Sequence, residues 1–202
     1  MKRFSIFVLT CQLLSLNLLG SIDMKEKLET ATFGGGCFWC TEAIFERVKG
    51  VHRVESGYSG GTVSNPDYKM VTSGTTGHAE VVQISFDPAV VTFTQLLEIF
   101  FKTHDPTTLN RQGADVGTQY RSIVLYHTEQ QRKLTQQIIQ ELDSEGIWND
   151  PIVTAIEPFE QFYSAEAYHQ EYYENNPNQG YCRVVITPKL EKFEKIFKEN
   201  LK

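Results

Sequence analysis

After Met24, apolar positions recur at two spacings, every second residue in some stretches and every third or fourth in others. The switches between them mark the elements. Alternating or short apolar runs predict strands at Leu28–Phe33, Val51–Tyr58, Ala79–Phe86, Tyr120–Tyr126, Ile152–Ile156 and Tyr181–Ile186. Helical spacing predicts helices over Cys37–Lys49, stopped by Gly50, and over Phe93–Thr103. Thr128–Glu145 reads as an amphipathic helix opened by a capping box of Thr128 with Gln131. Ala165–Asn175 reads as a Tyr-rich helix. Thr187-Pro188 opens a last helix with Leu190, Phe193 and Phe197 inward. Two polar loops, Ser59–Gly77 and His104–Thr118, are long for a compact domain, and such loops tend to carry function.

The leading elements run β-α-β-β-α-β, the order of a ferredoxin-like split-βαβ unit. The expected fold class is α+β: a two-layer sandwich whose antiparallel or mixed sheet is covered by helices on one face. No repeat or linker divides residues 24–202, which read as a single domain.

Composition changes this picture only at its edges. The chain has 202 residues, 41% hydrophobic and 22% charged, enough apolar content for a real core. A net charge of -6 without Lys/Arg clusters argues against nucleic acid as a partner. Residues 1–23 stand apart: Lys2 and Arg3 precede an apolar run from Phe4 to Leu19 that is short for a membrane span. This pattern predicts a signal peptide and an exported, periplasmic protein. The alternatives are a true start at Met24, which would leave the protein cytoplasmic, and a lipid-anchor role for Cys11. A monomer is expected, with no membrane association of the mature domain.

Candidate chemistry concentrates in Gly34-Gly35-Gly36-Cys37-Phe38-Trp39-Cys40, where a strand turns into a helix. Cys37 falls at the helix N-terminus, where free N–H groups and the macrodipole stabilise a thiolate, making it a nucleophile by placement. Phe38 and Trp39 offer an apolar wall. Cys37 and Cys40 form Cys-x-x-Cys, a pattern shared by redox dithiols and half zinc sites. Cys182 stands alone and no His pairing accompanies it, so no metal is expected.

In Ala79–Phe86, Glu80 shares parity with Val82, Ile84 and Phe86, which points it to the apolar side of the strand. Burial raises a carboxyl pKa and suits it to act as a general acid at neutral pH. The same parity argument places Tyr120 with Val124 and Tyr126. Asp115 sits in a glycine-bracketed loop before Tyr120, and Tyr68 lies in the other long loop.

Together these residues resemble the peptide methionine sulfoxide reductase A family. The likeness rests on Gly36-Cys37-Phe38-Trp39, Gly57-Tyr58-Ser59-Gly60-Gly61, Asn65-Pro66-Asp67-Tyr68, Gly77-His78-Ala79-Glu80, Asn110-Arg111-Gln112-Gly113, Gly117-Thr118-Gln119-Tyr120-Arg121-Ser122 and Tyr168-His169-Gln170. It spans nearly all of Ala31–Val185. The resemblance implies reduction of the S epimer of methionine sulfoxide, free or in proteins, as a repair of oxidative damage. Cys37 would attack the sulfur and be left as a sulfenic acid. Glu80 would protonate the oxygen, with Tyr68 and Tyr120 as hydrogen-bond donors and Asp115 orienting the site. Phe38 and Trp39 would hold the substrate methyl group. Cys182 is the favoured resolving cysteine and Cys40 the next. Thioredoxin, or dithiothreitol in its place, is the implied reductant, with no bound cofactor. The competing readings are a general thiol–disulfide oxidoreductase using Cys37 and Cys40, and a non-enzymatic module that binds methionine-containing peptides.

Overall fold

The computed structural model describes residues 27–202. The leader and lipid-anchor readings of residues 1–23, with Cys11, lie outside the described residues. The sheet is built from β1 (Glu29–Gly34), β2 (Val51–Ser59), β3 (Ala79–Phe86), β6 (Ile123–Tyr126), β7 (Ala155–Pro158) and β8 (Phe162–Ser164), in the order β7-β6-β1-β3-β2-β8. The middle of that order, β6-β1-β3-β2, is the split-βαβ arrangement. All pairs are antiparallel except β6 with β7. The fold is thus the expected α+β sandwich, extended by a strand at each edge. A small hairpin of β4 (Arg111–Gln112) and β5 (Asp115–Val116) lies apart from the sheet.

Helices cover one face. From α1 (Phe38–Phe45), Phe45 meets the Phe33 ring of β1 at 5.7 Å. From α3 (Phe93–Thr103), Phe100 stacks on the same ring at 5.0 Å. Ala31, Val82, Ile84, Phe86 and Val124 complete this core from the sheet side. The opposite face holds a smaller cluster of Ala79, Val81, Ile123 and Leu125, partly covered by Phe159 and Phe162. Alternation on β3 thus feeds both faces, as its burial on both sides requires.

Helix α4 (Glu129–Ser144) begins where its cap predicts, with the Gln131 amide donating to Thr128 Oγ1 at 3.2 Å. The reciprocal half of the box is displaced by one residue: Gln131 Oε1 accepts from the His127 amide at 2.8 Å.

Four expectations are corrected. Tyr181–Ile186 is helical, not a strand. Its wide π turn (Cys182–Ile186) runs directly into α6 (Thr187–Ile196), and the Thr187 amide donates to the Cys182 carbonyl. Pro188 has no N–H to bond one turn back, and a widened turn just before it accommodates that loss. The buried Cys182, Ile186, Leu190 and Phe193 recur at helical spacing, which outweighs the β-branched local run. Tyr120 lies in a 3₁₀ turn (Thr118–Tyr120) closed by its own amide to the Gly117 carbonyl at 3.0 Å, so the strand begins later, at Ile123. Ala165–Asn175 is broken into a 3₁₀ turn (Ala167–His169) and the short helix α5 (Tyr172–Asn175), with Glu171 left-handed between them at φ 51°. The first long loop carries a further short helix, α2 (Tyr68–Thr72), capped by Asp67, whose carboxylate accepts from the Met70 amide at 2.7 Å.

Candidate active site

The turn from β1 into α1 depends on glycine. Gly36 adopts φ +92°, and a Cβ there would lie 2.6 Å from Gln112. A Cβ on Gly34 would lie 2.8 Å from the Glu80 carbonyl oxygen, so its absence lets β1 close on β3. Cys37 then takes the N-cap position of α1, and its side chain caps nothing.

Glu80 is buried on β3 as its parity predicts. The Phe38 amide, free at the helix start, donates to Glu80 Oε2 at 3.1 Å. Burial pushes the Glu80 carboxyl up to about 8 against that hydrogen bond, with the Asp115 and Cys40 charges adding to the rise. A carboxyl in this state holds its proton at neutral pH and is a donor beside Cys37.

The surroundings of Cys37 act against the pKa lowering expected of a helix N-terminus. Burial raises Cys37 well above the ordinary thiol range, and its hydrogen bond to Cys40 and the Glu80 charge raise it further. The Trp39 amide bonds the sulfur and opposes this. Cys40 is held low, first by the Cys37 hydrogen bond, with help from the Lys189 charge and the Tyr181 hydroxyl. Cys182 is buried in the π turn; burial raises its thiol and the Cys40 charge acts on it. Among the described cysteines, Cys40 acts electrostatically on both Cys37 and Cys182.

Both phenols converge here. Tyr68 and Tyr120 are each raised chiefly by burial, then by the Glu80 charge, with Tyr68 reaching about 12. They remain protonated donors at any physiological pH. Asp115 Oδ2 accepts from the Tyr181 hydroxyl at 2.7 Å. The wall residues are in place: Phe38 is buried, and the Trp39 indole stacks on Tyr172 at 3.6 Å and 6°.

Several participants escaped the sequence reading. His169 is buried against Phe38 and Tyr68, and its Nδ1 accepts from Trp39 Nε1 at 3.1 Å. Burial lowers its pKa, which keeps the ring neutral and the acceptor available. Glu166 takes two bonds, from the Tyr58 hydroxyl at 2.8 Å and the Tyr68 amide at 2.9 Å. Gln170 clamps Ser56, accepting from its amide at 3.0 Å and donating to its carbonyl at 2.9 Å. His169 and Gln170 stand in the run Tyr168-His169-Gln170, but irregular backbone gives no periodicity from which to assign roles.

A protonated acid and two phenols facing a cysteine at a strand-to-helix turn, on this α+β scaffold, define a thiol-dependent reductase. The profile described as peptide methionine sulfoxide reductase matches residues 29–201. The chain belongs to the peptide methionine sulfoxide reductase family, and its activity is the reduction of methionine sulfoxide in peptides. It is 56% identical over 175 residues to the peptide methionine sulfoxide reductase MsrA of Saccharolobus solfataricus, covering 87% of this chain and 98% of that protein. Among solved structures, it is similar to reduced Mxr1 from Saccharomyces cerevisiae, with TM-score 0.70, 38% identity and 77% and 89% of the two chains covered. Mxr1 in complex with Trx2 matches at TM-score 0.50 and 29% identity, over 73% of this chain and 86% of that one. These relatives do not favour a general thiol–disulfide oxidoreductase.

Proposed function

We propose that the substrate is the S epimer of methionine sulfoxide, in proteins or free, and that Cys37 and Glu80 carry the reaction. The observation that carries this reading is the buried, proton-holding Glu80 anchored by the Phe38 amide next to Cys37. A thiolate alone expels a sulfoxide oxygen poorly, so an acid at that oxygen is required. Cys37 attacks the sulfoxide sulfur while Glu80 protonates the oxygen, and Tyr68 and Tyr120 donate hydrogen bonds to it. The methionine sulfur is reduced by two electrons and leaves as the thioether. The Cys37 sulfur is oxidised by two electrons and ends as sulfenic acid bearing the oxygen.

Cys40 attacks the Cys37 sulfur next, forming the Cys37–Cys40 disulfide and releasing the oxygen as water. Cys40 lies in the first turn of α1, which Cys37 caps, and its side-chain interaction with Cys37 lowers its pKa; both support this order. Cys182 then exchanges onto Cys40, freeing Cys37, and a thioredoxin-type dithiol reduces the Cys40–Cys182 disulfide. The complex of the relative Mxr1 with Trx2 supports that class of reductant. If residues 1–23 direct export, the donor is a thioredoxin-like protein outside the cytoplasm.

The test is a single turnover without reductant on a variant carrying both Cys40→Ser and Cys182→Ser. One equivalent of methionine should form per protein, with a dimedone adduct on Cys37. Absence of methionine in that turnover, with Cys37 still alkylated by iodoacetamide, would exclude this mechanism.

A further inference from the structure

Tyr168 is 61% exposed, although its ring lies 4.2 Å from the buried ring of His169. His169 is the residue that holds the Trp39 indole. Tyr168 therefore continues the aromatic wall outward, from Phe38 through His169 to solvent. Tyr68 packs on the same His169 ring at 4.6 Å, so the two phenols share one aromatic neighbour.

The backbone that carries the ring is anchored on both sides. The residues flanking its turn are both anchored: Glu166 by Tyr58 and Tyr68, Gln170 by Ser56. A surface aromatic on a fixed backbone loses little freedom when a partner covers it, and so favours binding. Most of the ring is open to solvent, and the aromatic wall ends there at the mouth of the site.

A methionine sulfoxide side chain that reaches Cys37 leaves its own backbone at that mouth. A free amino acid ends there, whereas a peptide continues across the lip. We propose that Tyr168 is a specificity-determining residue that packs on apolar residues flanking a peptide-bound methionine sulfoxide, favouring peptide over free amino acid. This rests on the reductase reading of the site.

The test compares kcat/KM on free S-methionine sulfoxide and on a short peptide with apolar residues either side of the same epimer. Tyr168→Ala should lower kcat/KM on the peptide roughly five- to tenfold more than on the free amino acid, through KM. Tyr168→Phe, which keeps the ring, should hold the wild-type ratio within about twofold. Equal losses on both substrates would mean that Tyr168 only supports His169, and would overturn the proposal. An alanine variant matching wild type on both would overturn it too. Wild-type protein inactive on both would remove the reductase reading itself, an outcome distinct from either.

Discussion

The Phe38 amide donates to Glu80 Oε2 across 3.1 Å, spanning 42 residues of sequence. It ties the first free N–H of α1 to the acid on β3, so one bond fixes Cys37's helix and Glu80 together. With Oε2 engaged, Oε1 is left to carry the proton at neutral pH. Glu80→Gln keeps the shape and the Phe38 acceptor but removes the acid. Turnover of sulfoxide should fall roughly 10²- to 10⁴-fold, while Cys37 still reacts with iodoacetamide. A variant with near wild-type turnover would exclude Glu80 as the acid.

The Glu80 carboxyl also sets a pH dependence. Its folded value of about 8 lies above the ordinary 4.5, so the folded state binds the extra proton between these values. Its contribution to stability is full below about 4.5, declines as pH rises toward about 8, and is lost above it. Urea unfolding from pH 5 to 9 should show this fall, and Glu80→Gln should flatten it. Activity should decline over the upper part of the same range as the acid loses its proton.

His169 holds Trp39 by accepting its indole N–H at 3.1 Å. His169→Phe fills much of the space but leaves that donor without a partner. Unfolding free energy should drop by about 1 kcal/mol, the low end of the cost of an orphaned donor because the pair is only part-buried, and KM should rise more than kcat falls. An unchanged KM would show that the indole's position does not depend on His169.

The three sulfurs make separate predictions. After one equivalent of sulfoxide, Cys182→Ser should trap the Cys37–Cys40 disulfide, visible by peptide mapping. Cys40→Ser should instead accumulate the Cys37 sulfenic acid and turn over slowly with thioredoxin. A direct Cys37–Cys182 disulfide as the first product in wild type would reverse the order proposed for the relay.

Gly36→Ala places a Cβ at a left-handed φ of +92° and 2.6 Å from Gln112. Destabilisation of roughly 1–3 kcal/mol is expected from the strained backbone, before any shift of Gln112 is counted. Loss of thiol reactivity should accompany it, because the turn sets where Cys37 begins its helix.

What the sequence revealed followed from local rules. The glycine turn, Cys37 at a helix start and the parity of Glu80 are decided within a few residues, and all three stand in the structure. Parity groups Tyr120 with its strand, yet the residue reaches the site from a 3₁₀ turn that parity cannot describe. The run Val184-Val185-Ile186 looks like a strand because its residues are β-branched, but packing of Cys182 and Ile186 with Leu190 and Phe193 winds it helically. The Cys37 pKa ran opposite to the helix-dipole expectation, since burial and the Cys40 hydrogen bond outweigh one N-terminus. The bonds of Glu166 and His169 join segments some 100 residues apart and left no mark in any local pattern.

The most direct test of the account is turnover of matched peptides bearing S- or R-methionine sulfoxide, with dithiothreitol as reductant. The S peptide should be converted to the methionine peptide while the R peptide is untouched. Turnover of the R form, or none of the S form, would contradict it.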